Sequence, residues 1–147
     1  GYSTLMSLIR HPDLYRCGVA WVAVSDPFLL VTRSSVVESD ASDLSRVGLL
    51  SRIGDPATDT ELLTQASPLA QAARLKAPLI LAMGESDVRV PLAHGTRMRE
   101  ALIKAGNTPQ YVVYPNEGHS WTLPATRVDF ANRVERFLAE HIGSASK

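Results

Sequence analysis

Two apolar runs constrain this chain more than anything else in it. Gly18-Val19-Ala20-Trp21-Val22-Ala23-Val24 and Pro78-Leu79-Ile80-Leu81-Ala82-Met83 contain no charged or hydroxylated residue and show no alternation. A strand with one wet face alternates apolar and polar residues. An unbroken apolar run of this length suits a strand buried on both faces, as in a parallel sheet. Ser25-Asp26-Pro27 closes the first run, and a third β-type run extends from about Gln110 to Tyr114. Helical patterns separate the three. Strands alternating with helices imply parallel pairing through crossover connections. The expected fold is therefore α/β, with about three parallel strands, flanking helices and a helical excursion after the first strand.

The helices can be placed by their apolar spacing. Leu5, Leu8 and Ile9 mark an opening helix that ends at His11-Pro12, because proline disfavours helical angles at the residue before it. That helix begins at residue 1 with no strand leading into it, so the chain reads as cut from something longer. Between the first two strands, Phe28 to Val31 suggests a helix start. Ser39-Asp40 suggests the cap of a second helix over Leu44, Val47, Leu49 and Leu50. Ile53-Gly54-Asp55-Pro56 reads as a turn and Thr60 to Ala66 as a short helix. Ser67-Pro68 suggests one more helix over Leu69, Ala72 and Ala73. After the second strand, His94, Met98, Ala101, Leu102 and Ala105 share a helix face that stops at Gly106-Asn107. The last helix runs from about Ala125 to Ile142, with Phe130, Val134, Phe137, Leu138 and Ile142 as its buried stripe. Asp129 and Arg133 pair on its other side.

Composition narrows the function. The 147 residues are enough for a core, and 15 basic residues balance 15 acidic ones along the chain. That balance gives no support for a nucleic-acid surface or a polybasic membrane patch. No apolar run approaches the roughly 20 residues of a membrane helix. No basic segment leading into an apolar core marks a signal peptide, and a cytoplasmic location is the expectation. The lone Cys17 cannot form an intrachain disulfide and is expected to be a small buried hydrophobe. No Cys/His cluster has metal-ligand spacing, so no cofactor is expected.

The chemistry gathers on two loops. Gly84-Glu85-Ser86-Asp87-Val88-Arg89-Val90-Pro91 follows the second strand, and Asn116-Glu117-Gly118-His119-Ser120-Trp121 follows the third. In a parallel sheet both loops emerge at the carboxyl edge, where α/β proteins place their chemistry. One crossover helix separates them, so neighbouring strands would bring Asp87 and His119 together. An imidazole can take a proton from a hydroxyl nucleophile and later give it to a leaving group. A carboxylate on its Nδ1 fixes the tautomer. Acid before histidine, both after strands, is the order of the α/β-hydrolase fold. Glu85 and Glu117 read as loop charges, His94 as a residue at a helix start, and His11 and His141 as solvated helix-end residues. Trp121 suits a pocket wall or packing under the last helix, and Asp26 an Asp-Pro turn.

These two loop segments resemble the aspartate and histidine segments of the prolyl oligopeptidase family of serine peptidases, in its acylaminoacyl-peptidase and dipeptidyl-peptidase branch. Gly1-Tyr2-Ser3-Thr4-Leu5-Met6 resembles the helix just after that family's Gly-x-Ser-x-Gly-Gly-Tyr motif. Pro12-Asp13-Leu14-Tyr15, Ser67-Pro68-Leu69 and the Pro78 strand also resemble family segments, so the likeness covers essentially the whole chain. The resemblance implies the C-terminal half of an α/β-hydrolase fold. Residues 1–147 would be a partial catalytic domain, with Asp87 as triad acid and His119 as triad base, acting on peptide substrates in the full-length protein. The nucleophilic serine would lie three residues before Gly1, and the elbow, its oxyanion amide and any β-propeller would lie upstream as well.

Ser3 and Ser7 sit in the body of the first helix and do not substitute for a serine on a strand-to-helix elbow. The chain is thus expected to supply Asp and His only and to be inactive alone. A first strand without its upstream neighbour would expose an edge, so self-association through that edge is expected. Two other readings stay open: an esterase or dienelactone-hydrolase-like enzyme of the same fold acting on a small ester, and a non-catalytic α/β module that binds a partner.

Overall fold

The fold follows from where the apolar runs can be buried. A computed structural model describes residues 1–33 and 43–143. It contains a three-stranded parallel sheet in the order β1-β2-β3, with β1 at Gly18–Trp21, β2 at Leu79–Gly84 and β3 at Gln110–Tyr114. Helix α1 is Tyr2–Arg10, α2 Pro27–Arg33, α3 Asp43–Ile53, α4 Thr60–Gln65, α5 Ala93–Lys104 and α6 Pro124–Ile142.

All six residues of the central strand β2 are buried. Their side chains alternate between the two faces of the sheet. Leu79, Leu81 and Met83 pack with Leu5, Leu8 and Ile9 of α1 and with Met98 and Leu102 of α5. Ile80 and Ala82 face the other way, against Tyr114, Trp121 and the Phe130, Val134, Phe137 and Leu138 stripe of α6. Both faces are covered, which is why β2 carries no polar residue. Burying each large aliphatic side chain contributes roughly 1.5–3 kcal/mol.

Helix α6 is also latched to β3. The Tyr114 hydroxyl donates to Asp129 Oδ2 at 2.7 Å, and Arg133 Nε donates to the same oxygen at 2.6 Å. Burial, and the hydrogen bond to Asp129, push the Tyr114 phenol up to about 12.

Several expectations need correction. Strand β1 stops at Trp21 rather than Val24, because Val22 adopts a left-handed backbone with φ 43°. That conformation is a genuine outlier for a β-branched residue and turns the chain out of the sheet. The expected helix after Ser67-Pro68 is only a turn followed by a 3-10 segment at Ala72–Arg74. The Ser67 hydroxyl takes the Ala70 N–H, and the Leu69 N–H goes to the Ser25 carbonyl. Those donors are spent before an α-helical ladder can start. Cys17 is only half-buried, because it precedes β1 and packs at the margin of the α6 layer. Ile142 at the end of α6 is exposed, as is Val47 on α3. His141 is half-buried, its ring edge-on to Phe137. The expected cap at Ser39-Asp40 lies outside the described residues.

Candidate active site

The acid loop is built around its own carboxylate. Asp87 follows β2 and its side chain is wholly buried. Its Oδ1 accepts the backbone N–H groups of Arg89 and Val90, both at 2.9 Å. This Asx-type turn uses the acid's own carboxylate to shape the loop that carries it. It also leaves Oδ2 free to face outward from the turn.

The histidine loop reaches that oxygen. His119 Nδ1 lies 2.8 Å from Asp87 Oδ2. The His119 side chain is 38% exposed, and among the described residues its Nε2 has no hydrogen-bond partner. A carboxylate oxygen accepts, so the shared proton resides on Nδ1 and Nε2 is left as an outward-facing base.

Two features hold the two loops in register, and a third braces the histidine loop itself. The Ser86 N–H donates to the Glu117 carbonyl at 2.9 Å, and the Glu85 N–H donates to the Tyr114 carbonyl at 3.0 Å. Gly84 lets them approach. A Cβ at that position would clash with the Gly118 carbonyl oxygen and lie 2.5 Å from that of Glu117. The third feature is Glu117, which is fully buried. Its Oε2 accepts the Thr122 N–H at 2.7 Å and the Thr122 hydroxyl at 3.0 Å, and its Oε1 accepts the Leu123 N–H at 3.0 Å. Burial alone would raise the Glu117 carboxyl. Hydrogen bonds from Thr122, Leu123 and Thr126 outweigh that and hold it below the ordinary range.

Glu117 was expected to be a solvated loop charge, so the sequence reading missed its role. Two of its partners are backbone amides, which any residue supplies, and its two side-chain partners, Thr122 and Thr126, form no distinctive motif with it. Glu85, by contrast, is exposed as expected. Trp121, two residues beyond His119, is buried against Tyr114, Trp21 and Phe130, with ring centroids 4.9, 5.3 and 5.7 Å away. It packs under α6. Asp26 accepts the Phe28 N–H at 3.1 Å and so forms the expected turn, at the start of α2. Ser3 and Ser7 lie within α1, as the opening apolar spacing implies.

Gly1 sits against the end of β1. A Cβ there would lie 2.6 Å from both the Trp21 carbonyl oxygen and Ala23 Cα. Beside it, a cavity of about 280 Å³ is lined by Tyr2, Val24, Pro27, Leu30 and Ile53, with Arg52 at its wall. Val24, Pro27 and Leu30 belong to the segment that leaves β1. Among the described residues, no group of three or more His, Cys, Asp or Glu is placed to hold a metal ion. None of the described helices is long and apolar enough to cross a membrane.

Parallel strands with helices on both faces, and an Asp-His pair on adjacent strand ends, are the features of the α/β-hydrolase fold. Solved structures agree. A puromycin hydrolase superposes with a TM-score of 0.83 at 25% identity, over 98% of this chain and 21% of that one. Pyrococcus horikoshii acylaminoacyl peptidase superposes with a TM-score of 0.81 at 22% identity, over 100% of this chain and 23% of that one. The chain belongs to the prolyl oligopeptidase family, whose model matches residues 1–145. It is similar to dipeptidyl aminopeptidase BIII of Pseudoxanthomonas mexicana, with 37% identity over 150 residues, spanning 100% of this chain and 21% of the relative. The chain thus spans about a fifth of the length of the curated relatives it matches over its full extent.

Proposed function

We propose that this chain supplies the acid and the base of a serine-peptidase catalytic centre, with Asp87 as the orienting carboxylate and His119 as general base and acid. The observation that carries this reading is the 2.8 Å contact between His119 Nδ1 and Asp87 Oδ2, which leaves Nε2 facing outward. The nucleophilic serine comes from outside these 147 residues, three positions before Gly1.

In this reading, His119 Nε2 takes the proton of the serine hydroxyl as its oxygen attacks the carbonyl carbon of the scissile peptide bond. The C–N bond then breaks, and Nε2–H delivers that proton to the leaving amine. Water repeats the sequence on the acyl-enzyme and regenerates the serine. The Asp87 carboxylate fixes the tautomer and stabilises the imidazolium. The cavity beside Gly1 receives a substrate side chain next to the serine. Its size and apolar lining suit a single side chain of a short peptide.

Neither Ser3 nor Ser7 can act as the nucleophile, because both sit in the body of α1 rather than on an elbow. The chain on its own is therefore inactive. The reading is tested with the intact protein on dipeptidyl and N-acylaminoacyl anilides and on short-chain esters. It expects anilide cleavage. Ester cleavage with no anilide cleavage would replace the peptidase reading with that of a small-ester hydrolase.

A further inference from the structure

His94 stands outside the pair just described, yet it is built into the same edge of the sheet. It is the second residue of α5, and none of its surface reaches solvent. Its Nδ1 accepts the backbone N–H of Ser25 at 3.2 Å, and its carbonyl oxygen accepts the Ser25 hydroxyl at 2.8 Å. Ser25 lies in the loop that leaves β1. Its own carbonyl takes the Leu69 N–H at 2.8 Å, so this exit loop is fixed from a second direction.

On its other side His94 joins the acid loop. Its backbone N–H donates to the Pro91 carbonyl at 2.9 Å. Pro91 directly follows Val90, whose N–H is one of the two that hold Asp87 Oδ1. A chain of short contacts therefore leads from the β1 exit through His94 and Pro91 to the Asp87 carboxylate. Pro91 has no N–H of its own; besides Asp87, which takes the Arg89 and Val90 amides, the Thr96 hydroxyl donates to the Leu92 carbonyl at 3.3 Å.

We propose that His94 is a positioning residue for the Asp87–His119 pair: its neutral imidazole, docked on Ser25, fixes the segment whose amides aim the Asp87 carboxylate at His119. This rests on the reading of Asp87 and His119 as acid and base. A protonated ring could not accept the Ser25 N–H at Nδ1. Burial, with Arg97 nearby, holds His94 down to about 4, so it stays an acceptor at neutral pH. Its Nε2 is buried without a partner, so the anchoring contact is the one at Nδ1.

The test compares His94→Phe with His94→Asn in the intact protein. Phenylalanine fills the space without an acceptor. Asparagine places Oδ1 near the position of Nδ1 and restores the acceptor, while its Nδ2 amide takes the place of ring atoms in the same buried space. Circular dichroism establishes that both are folded. Two readouts follow: kcat and KM on an anilide substrate, and the pH profile of carbethoxylation at His119 by diethyl pyrocarbonate, which needs no turnover. His94→Phe is expected to lower kcat by about tenfold to a hundredfold with KM within about twofold, since small misplacements of a catalytic group cost that much. Its carbethoxylation profile changes as Asp87 loses its aim. His94→Asn restores both readouts most of the way. Wild-type kcat and an unmoved profile in folded His94→Phe would overturn the proposal, as would His94→Asn being as impaired as His94→Phe. If the intact wild type cleaves no anilide or ester, the peptidase reading fails, while the carbethoxylation profiles still decide the role of His94.

Discussion

The Asp87 carboxylate meets His119 Nδ1 at 2.8 Å from the neighbouring strand, while its second oxygen is held by the amides of Arg89 and Val90. One carboxylate thus shapes its own loop and orients the imidazole. Asp87→Asn keeps the size of the side chain but presents Nδ1 with a group that can donate, which favours the wrong tautomer. In the intact protein this substitution is expected to lower kcat by about 10³–10⁴ with little change in KM. Steady-state kinetics on an anilide checks it.

Gly84 sets the distance between the loops. An alanine Cβ would run into the carbonyl oxygens of Gly118 and Glu117, which are backbone atoms and cannot rotate away. Gly84→Ala is expected to destabilise the protein by about 1–3 kcal/mol, as overpacking does. Activity should fall further than stability, by roughly a hundredfold, because the loop that must move carries His119. Parallel urea melts and kcat measurements separate the two effects.

Glu117 accepts hydrogen bonds from the Thr122 amide and hydroxyl, the Leu123 amide and Thr126 through two oxygens. Glutamine offers one oxygen and a donor, so in Glu117→Gln at least one of the Thr122 and Leu123 amides faces an N–H. The expected outcome is a lower Tm and a kcat reduced about tenfold or more through misplacement of His119. An unchanged Tm would show that the carboxylate does not organise the loop.

His94 gives a pH signature. Burial and Arg97 place its native value at about 4, below the ordinary 6.5. The unfolded chain therefore takes up the proton first as pH falls. The contribution to stability is full above about pH 6.5, declines below it and is gone once pH passes below about 4. Its size is on the order of 3 kcal/mol. Urea melts at pH 7 and pH 4.5 should differ by most of that, and His94→Asn should flatten the difference.

Much of this was legible in the residues. β3 spans Gln110–Tyr114 as its β-type run implies, and the unbroken apolar run of β2 reports a strand covered on both faces. The adjacency of the Asp87 and His119 loops follows from parallel pairing with one crossover helix between their strands. What escaped depends on partners distant in sequence or on backbone. The end of β1 is set by the left-handed Val22, which no apolar pattern encodes. His94 reads as a residue on a buried helix face, but its bond to Ser25 crosses 69 positions. Two of the donors to Glu117 are backbone amides, which carry no side-chain identity. Ser67-Pro68 has the form of a helix start, yet its donors go to a turn and to the β1 exit.

The central claim is that Asp87 and His119 activate a serine lying outside residues 1–147. Labelling with a fluorophosphonate, followed by peptide mass spectrometry, tests it most directly. In the intact protein one serine should be labelled, three residues before Gly1, and His119→Ala should abolish the labelling. The 147-residue chain by itself should take up no label. Modification of Ser3, Ser7 or any other serine within the chain, or undiminished labelling in His119→Ala, would contradict the account.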